Sequence, residues 1–211
     1  MESGDIKKKI SVIMPVNLGY YKSSATYPEY KFMRSVNSFL AQSFKNAELI
    51  IISDGCKKAE MIYMENYIQQ PSVRFEYIEK QILFSGVIRQ TGIDMAEGEI
   101  ICYLDHDDLF GKEHLATINK YFNTDKYDWV YYNDYLIRNI SFGVLERKIS
   151  PVPCQIGTSC IAHKRSLDIH WVDGYGHDWE LIRTYLFKRR PGIKIPTPQY
   201  YVCHCPGLMD F

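Results

Sequence analysis

Four short apolar runs in the first half of the chain constrain its fold more than any other feature. They are Lys9 to Val16, Ala47 to Ile52, Val73 to Ile78 and Ile100 to Leu104. Their β-branched and aromatic content suits strands buried in a sheet. Between them, apolar residues recur at helical spacing. Met33, Val36, Leu40 and Phe44 predict a helix from Tyr30, and Met61, Met64 and Ile68 predict a second whose stripe is a core face. A third carries Ile88, Gly92, Met95 and Ala96, with Ser85 as N-cap and Gly98 as its stop. A fourth begins near Lys112 and carries Leu115, Ile118 and Phe122. Strand and helix alternating four times predict an α/β fold with a mostly parallel sheet covered on both faces.

The last of these runs ends abruptly in Asp105-His106-Asp107-Asp108. Carboxylates this close repel one another unless a cation lies between them or they point apart into water. Strand ends at the edge of an open α/β sheet are also where ligands are held. The residues allow two readings. One is a hard divalent cation, Mg²⁺ or Mn²⁺, shared with substrate phosphates. The other is an acidic turn capping the helix near Lys112.

The second half changes character. Trp129 to Leu136 reads as one aromatic strand, and a Pro-rich link, Ser150 to Pro153, leads into Gly157 to Ala162. A turn from Asp173 to Asp178 opens a helix with Trp179, Ile182 and Leu186. Lys188-Arg189-Arg190 follows at its C-terminal end, where cations complement the macrodipole. Gln199 to Cys203 is strand-like. The loop Asn17 to Glu29 is long enough to serve as a lid.

The 211 residues suit one domain with a sizeable core. A formal net charge of zero favours neither nucleic acid nor an anionic membrane. No apolar run approaches the ~18 residues of a membrane span, and no apolar h-region follows the N-terminal lysines, so the expected location is cytoplasmic. Cys56 and Cys102 read as reduced, buried thiols, and Cys154 and Cys160 could meet across a loop. Cys203-His204-Cys205 looks like a zinc fragment without the usual spacing or second ligand pair. A dinucleotide fingerprint, a P-loop and a nucleophile elbow at Ser159 are all missing. A phosphate site here would have to be built another way, with carboxylates and a metal the obvious means.

Several segments together resemble the family 2 glycosyltransferases, inverting nucleotide-sugar enzymes of the GT-A fold. Ser11 to Val16 looks like their first strand, and Leu49 to Cys56 like their strand-Asp-Gly-Ser segment. Arg89-Gln90-Thr91-Gly92-Ile93, with Ala96, Gly98 and Glu99, is similar to their Arg-Asn-x-Gly helix. Asp105-His106-Asp107-Asp108 is similar to their Asp-x-Asp motif, and His177-Asp178-Trp179-Glu180-Leu181 to their Glu-Asp-Trp-x-Leu segment. The match runs in order along nearly the whole chain. It implies a GT-A fold with a Rossmann-like sheet and a smaller acceptor-side subregion. About residues 1–110 would form the nucleotide-sugar half and about 111–211 the acceptor half.

The same resemblance implies roles. Asp54 would accept a hydrogen bond from the base, Asp105 would bind the ribose or a metal-bound water, and Pro15 and Arg89 would lie on the donor side. Asp107 would ligate Mn²⁺ or Mg²⁺ bridging the diphosphate, with His204 as a late ligand. Asp178 would take the proton from the acceptor hydroxyl, and Gly157, Thr158 and Trp179 would bind the acceptor. Trp171 and Tyr175 read equally as sugar-stacking or core residues. The sequence departs from the family at Asn17 (usually Tyr), Cys56 (Ser), Gln90 (Asn) and His177 (Glu), and Cys205 rather than His204 precedes Pro206-Gly207. The implied partners are a nucleotide-sugar, first of all a UDP-sugar, and a saccharide or glycan-lipid acceptor. That leaves room for peripheral membrane association. Two rival readings use the same residues: a metal-dependent nucleotide-sugar hydrolase, and an inactive sugar- or nucleotide-binding domain.

Overall fold

The four apolar runs become neighbouring parallel strands. A computed structural model describes residues 7–20, 24–80, 85–139, 143–174, 176–187, 192–195, 199–205 and 209–211, and the counts given are of those residues. Strands β1 (Ile10–Val16), β2 (Ala47–Asp54), β3 (Val73–Ile78) and β4 (Ile100–Tyr103) pair in parallel in the order β4-β1-β2-β3. Their connections run through α1 (Pro28–Leu40), α2 (Lys57–Asn66) and α3 (Gly86–Asp94). After β4 come β5 (Leu109–Phe110), α4 (His114–Phe122), β6 (Trp129–Tyr132), β7 (Asp134–Asn139), β8 (Gly143–Arg147) and β9 (Ile161–Lys164). Helix α5 (His177–Leu181), β10 (Ile193–Ile195), β11 (Tyr200–Val202), β12 (His204–Cys205) and β13 (Met209–Asp210) complete the order.

The seven-stranded sheet reads β10-β6-β9-β4-β1-β2-β3, with β9 antiparallel to both of its neighbours. A smaller sheet, β5-β11-β7-β8, and the pair β12-β13 stand beside it. Alternation along the strands divides the core into two layers. Val12, Met14, Leu49 and Ile51 pack with Phe32, Val36 and Phe39 of α1, Ala59 of α2, and Leu115, Ile118 and Phe122 of α4. Ile13, Ile50, Ile52, Ile101 and Tyr103 face the other way, onto Ile88 of α3, Leu181 of α5, and Ile182 and Leu186 beyond it. Gly92 lets α3 approach the sheet: a Cβ there would lie 2.5 Å from Ile13 Cγ2. No helix among the described residues is long and apolar enough to cross a membrane.

Several expectations need correction. The stripe of Met61, Met64 and Ile68 is exposed, at 60%, 53% and 46%, and α2 buries Ala59 instead. Helix α1 begins at Pro28 and buries Phe32 and Phe39 beside Val36. The single strand expected from Trp129 to Leu136 is two strands in different sheets, broken at Asn133. Asp134 begins the second, fully buried, and Arg147 of β8 holds it with two hydrogen bonds. Cys154 and Cys160 do not meet: Cys154 is exposed, and Cys160 is buried and donates to Asp134 Oδ2 at 3.2 Å. Ser85 stands at the N-cap of α3 without capping it. The basic run at 188–190, Tyr175, the loop residues 21–23, and Pro206 and Gly207 lie outside the described residues.

Under the acidic turn lies a buried histidine. His114 is 1% exposed, and neither ring nitrogen has a hydrogen-bond partner among the described residues. Its ring stacks on Phe110 at 4.1 Å and meets Tyr132 and Tyr200 edge-on. Burial pushes the imidazole down to about 3. The unfolded ring takes a proton near its ordinary pKa of about 6.5. This group's contribution to stability is therefore fully present above pH ~6.5 and is lost as pH falls toward 3, at up to about 1.4 kcal/mol per unit. Replacing a buried, unpaired polar ring by an apolar one of like shape is neutral to stabilising. His114→Phe should therefore melt at or above wild type at neutral pH. Its advantage should widen as pH drops from ~6.5, and parallel stability–pH curves would show that the imidazole titrates normally in the fold.

Candidate active site

Because β1, β2 and β4 run in parallel, their C-terminal ends share one edge of the sheet, and a cavity of about 440 Å³ opens there. Pro15 from β1, Asp54 from β2, Arg89 from α3, Asp105 and Asp107 from the turn after β4, and His204 from β12 all line it. The volume is that of an ordinary small-ligand site. Six residues expected on the donor and metal side are thus brought together from five segments of the chain.

Asp54 ends β2 and is largely buried. Gly55 follows in the left-handed region (φ 65°), where a Cβ would lie 2.7 Å from Lys80 Cβ. That close turn brings Lys80 Nζ onto Asp54 Oδ2 as an ion pair.

The carboxylates after β4 divide sharply. Asp108 turns inward, 4% exposed, accepting hydrogen bonds from the Tyr200 hydroxyl at 2.9 Å and the Cys203 N–H at 2.8 Å. Burial pushes its carboxyl well above the usual range, with Asp107 and Asp105 adding to the shift. Asp105 accepts from Arg89 Nη2 at 3.0 Å. Burial raises Asp105 as well; Arg89 opposes this and the charges of Asp107 and Asp178 reinforce it. The Asp107 carboxylate has no hydrogen-bond or ion-pair partner among the described residues. Arg34 donates instead to its backbone carbonyl, at 3.3 Å.

Arg89 is 6% exposed. Besides Asp105, its guanidinium donates through Nη1 to Ser85 Oγ and toward His177 Nε2 at 3.1 Å, and it lies 5.4 Å from the Trp171 ring centre. Ser85 thus serves the arginine and not the helix end. Trp171 is core: it is 7% exposed and meets Tyr103 edge-on.

Asp178 stands just beyond Arg89, in the first turn of α5, with His177 Nε2 3.2 Å from its Oδ1. Thr158 is buried and donates its hydroxyl to the same Oδ1, and a Cβ on Gly157 would sit 3.9 Å from Oδ2. Gly157 and Thr158 therefore form the bed of Asp178, and Ser159 reaches the cavity wall. Burial alone would raise the Asp178 carboxyl. The hydrogen bond with His177, the Arg89 charge and Thr158 outweigh it and hold the group down at about 2. Trp179 is half-buried, edge-on to Phe187, and outside the cavity lining.

Among the described residues no three His, Cys, Asp or Glu side chains are grouped as a metal site. Hard cations such as Mg²⁺ take one or two carboxylates and complete their shell with phosphates and water. Asp107 suits that role. His204 lines the same cavity, and its Nδ1 lies 3.0 Å from Asp210 Oδ1. A carboxylate can only accept, so Nδ1 carries a proton, and ligation of a metal by this ring would fall to Nε2. Asp210 also pairs with Lys31 and accepts from the Thr26 N–H, tying the 24–27 segment to the C-terminal strands. The donor chemistry at Asp107 and His204 fits such a cation.

Sequence reasoning missed Lys80, Ser85, Arg147, Ser159 and Tyr200 as parts of the site. Lys80 is the cation two residues beyond β3, the one signal that could have marked it. The others reach the site through non-local folding that no motif encodes.

Comparison with known proteins agrees with this architecture. In Staphylococcus aureus, poly(ribitol-phosphate) β-N-acetylglucosaminyltransferase TarP is 34% identical over 120 residues, covering 54% of this chain and 33% of TarP. Glycosyltransferase GlyA of Streptococcus pneumoniae is 25% identical over 116 residues, covering 54% of this chain and 15% of GlyA. The crystal structure of S. aureus TarS 1-349 in complex with UDP-GlcNAc superposes with a TM-score of 0.73 at 17% identity, over 94% of this chain and 59% of that one. The chain thus spans well under two-thirds of these proteins. Its fold is the GT-A fold, that of TarS. The family profile for glycosyl transferase family 2 matches residues 25–183, three-quarters of the sequence, and the chain belongs to that family.

Proposed function

We propose that this chain transfers a sugar from a nucleotide-sugar, first of all a UDP-sugar, to a hydroxyl of a saccharide or glycan-lipid acceptor with inversion at the anomeric carbon. One observation carries the reading: Asp54, Arg89, Asp105 and Asp107 share a cavity at the C-terminal sheet edge, and Asp178 stands across Arg89 from them. The TarS complex with UDP-GlcNAc makes a UDP-linked sugar the first donor to test. Work in glycan or polysaccharide assembly at the cytoplasmic face of a membrane is part of the same proposal.

In this reading Asp54 accepts from the base and Asp105, steered by Arg89, from the ribose. Asp107 and His204 would hold Mn²⁺ or Mg²⁺. When bound, that ion offsets the charge gathering on the departing diphosphate. Asp178 accepts the proton of the acceptor hydroxyl, which is a poor nucleophile until a placed base takes it. A carboxylate held at about 2 by such partners is a weak base. The acceptor must therefore enter with Asp178 loosened from its partners.

Two measurements test the proposal. UDP titrated calorimetrically should bind far more weakly in EDTA than with Mn²⁺, and equal affinity would remove the metal from the site. Asp178→Asn should lose some stability at neutral pH, because the interactions that hold the carboxyl at about 2 go with the charge. It should keep UDP–Mn²⁺ binding, because Asp54, Asp105 and Asp107 are untouched, while transfer falls by about 10²–10⁴. A variant retaining most of its activity would place the base elsewhere.

A further inference from the structure

His177 stands where the family usually has Glu, and its ring is placed so that one atom serves two incompatible partners. Nδ1 lies 2.8 Å from the Gly174 carbonyl, which can only accept, so Nδ1 carries a proton in either charge state. The ionisation therefore belongs to Nε2. Arg89 Nη1 lies 3.1 Å from Nε2 and Asp178 Oδ1 3.2 Å from it. A guanidinium offers only donors and a carboxylate only acceptors. The Arg89 contact is a hydrogen bond only when Nε2 bears a lone pair, and the Asp178 contact only when it bears a proton.

We propose, resting on the transferase reading above, that His177 is a positioning residue for the base: charged, it holds Asp178 in an ion pair, and neutral, it turns its lone pair to Arg89 and releases Asp178 to the acceptor hydroxyl. One imidazole proton then gates transfer, and the neutral ring keeps Arg89 on Asp105 at the donor side.

Among the contacts of the described residues, the charged groups facing the ring are Asp178 from its own helix and Arg89 from α3, which also holds Asp105. Trp171 lies 5.5 Å away ring to ring, and Ser85 Oγ 3.5 Å from Nε2. Burial works against charge on the imidazole, but the Asp178 carboxylate together with the Gly174 carbonyl outweighs burial and the Arg89 charge, so the ring titrates above its ordinary value. The sign follows. Below that titration His177 is protonated and Asp178 is tied up; above it Asp178 is released. Activity should rise with pH through the His177 midpoint, not through that of a carboxylate.

The test compares kcat/KM against pH for wild type and His177→Asn, each curve normalised to its own maximum. Asn retains a side-chain donor for the Gly174 carbonyl and cannot ionise. Wild type should show an acid limb centred above about pH 6.5. In the variant that limb should move down by more than about one unit. An unchanged limb would overturn the proposal.

A second arm needs no turnover and does not depend on the folding of His177→Asn. The His177 ring is followed by NMR against pH in wild type and in Asp178→Asn. The midpoint should fall when the carboxylate is removed, and a midpoint insensitive to Asp178 overturns the pairing. Absence of transfer with every donor and acceptor would defeat the transferase reading itself, and the NMR arm would still decide whether His177 and Asp178 are paired.

Discussion

The site depends on one buried guanidinium. Arg89 cannot shed its charge, and a cation taken out of water must find acceptors or a polarisable surface. It finds Asp105, Ser85 and the face of Trp171, and reaches His177 on the far side. Those partners come from the turn after β4, the start of α3 and the segment entering α5, and the arginine draws all three to one point. Replacement by Lys would keep the charge and lose the fork, because an ammonium cannot address these directions from one planar group. Without that cation the carboxylates of Asp105 and Asp178 would face each other across a partly dry gap, each raising the other's cost of ionisation.

The two edges of the sheet show the difference between a carboxylate satisfied by the fold and one left open. At the N-terminal edge Glu48 is 4% exposed and fully occupied, accepting from the Ser11 hydroxyl at 2.6 Å, the Glu97 N–H at 2.9 Å and Arg74 at 3.1 Å. Burial alone would raise its pKa, and these donors reverse the shift. At the C-terminal edge Asp108 is occupied in the same manner, by Tyr200 and Cys203. Asp105 and Asp107 are not: one shares an arginine, and the other opens into the cavity. Of the carboxylates after β4, Asp108 is satisfied by the fold, whereas Asp107 is left open to a cation or a ligand hydroxyl.

Much of this was legible in the sequence. Val73–Ile78 was bounded correctly because its alternation matches a strand at the sheet's margin, where Val73 is buried and the residues after it are half-buried or exposed. That Asp54, Asp105 and Asp107 would gather at one edge was legible because they follow the apolar runs of β2 and β4, and parallel strands must deliver their ends to one edge. What failed was information held by packing partners. The 3.6-residue period of Met61, Met64 and Ile68 marks a helix, but which face is covered depends on what lies beside α2, and small Ala59 makes that contact. Trp129 to Leu136 reads as one strand because nothing local announces that Arg147 will draw Asp134 into a second sheet. His177 and Arg89 are 88 residues apart, and only the completed fold places them in contact.

The central claim is that the cavity at the C-terminal edge is a nucleotide-sugar diphosphate site whose cation is held by Asp107. A crystal grown with UDP and Mn²⁺, measured for the anomalous signal of manganese, tests it most directly. The account predicts one strong peak bonded both to the Asp107 carboxylate and to diphosphate oxygens, with the base beside Asp54. Manganese or diphosphate bound elsewhere, or a diphosphate in this cavity with no metal at Asp107, would contradict it.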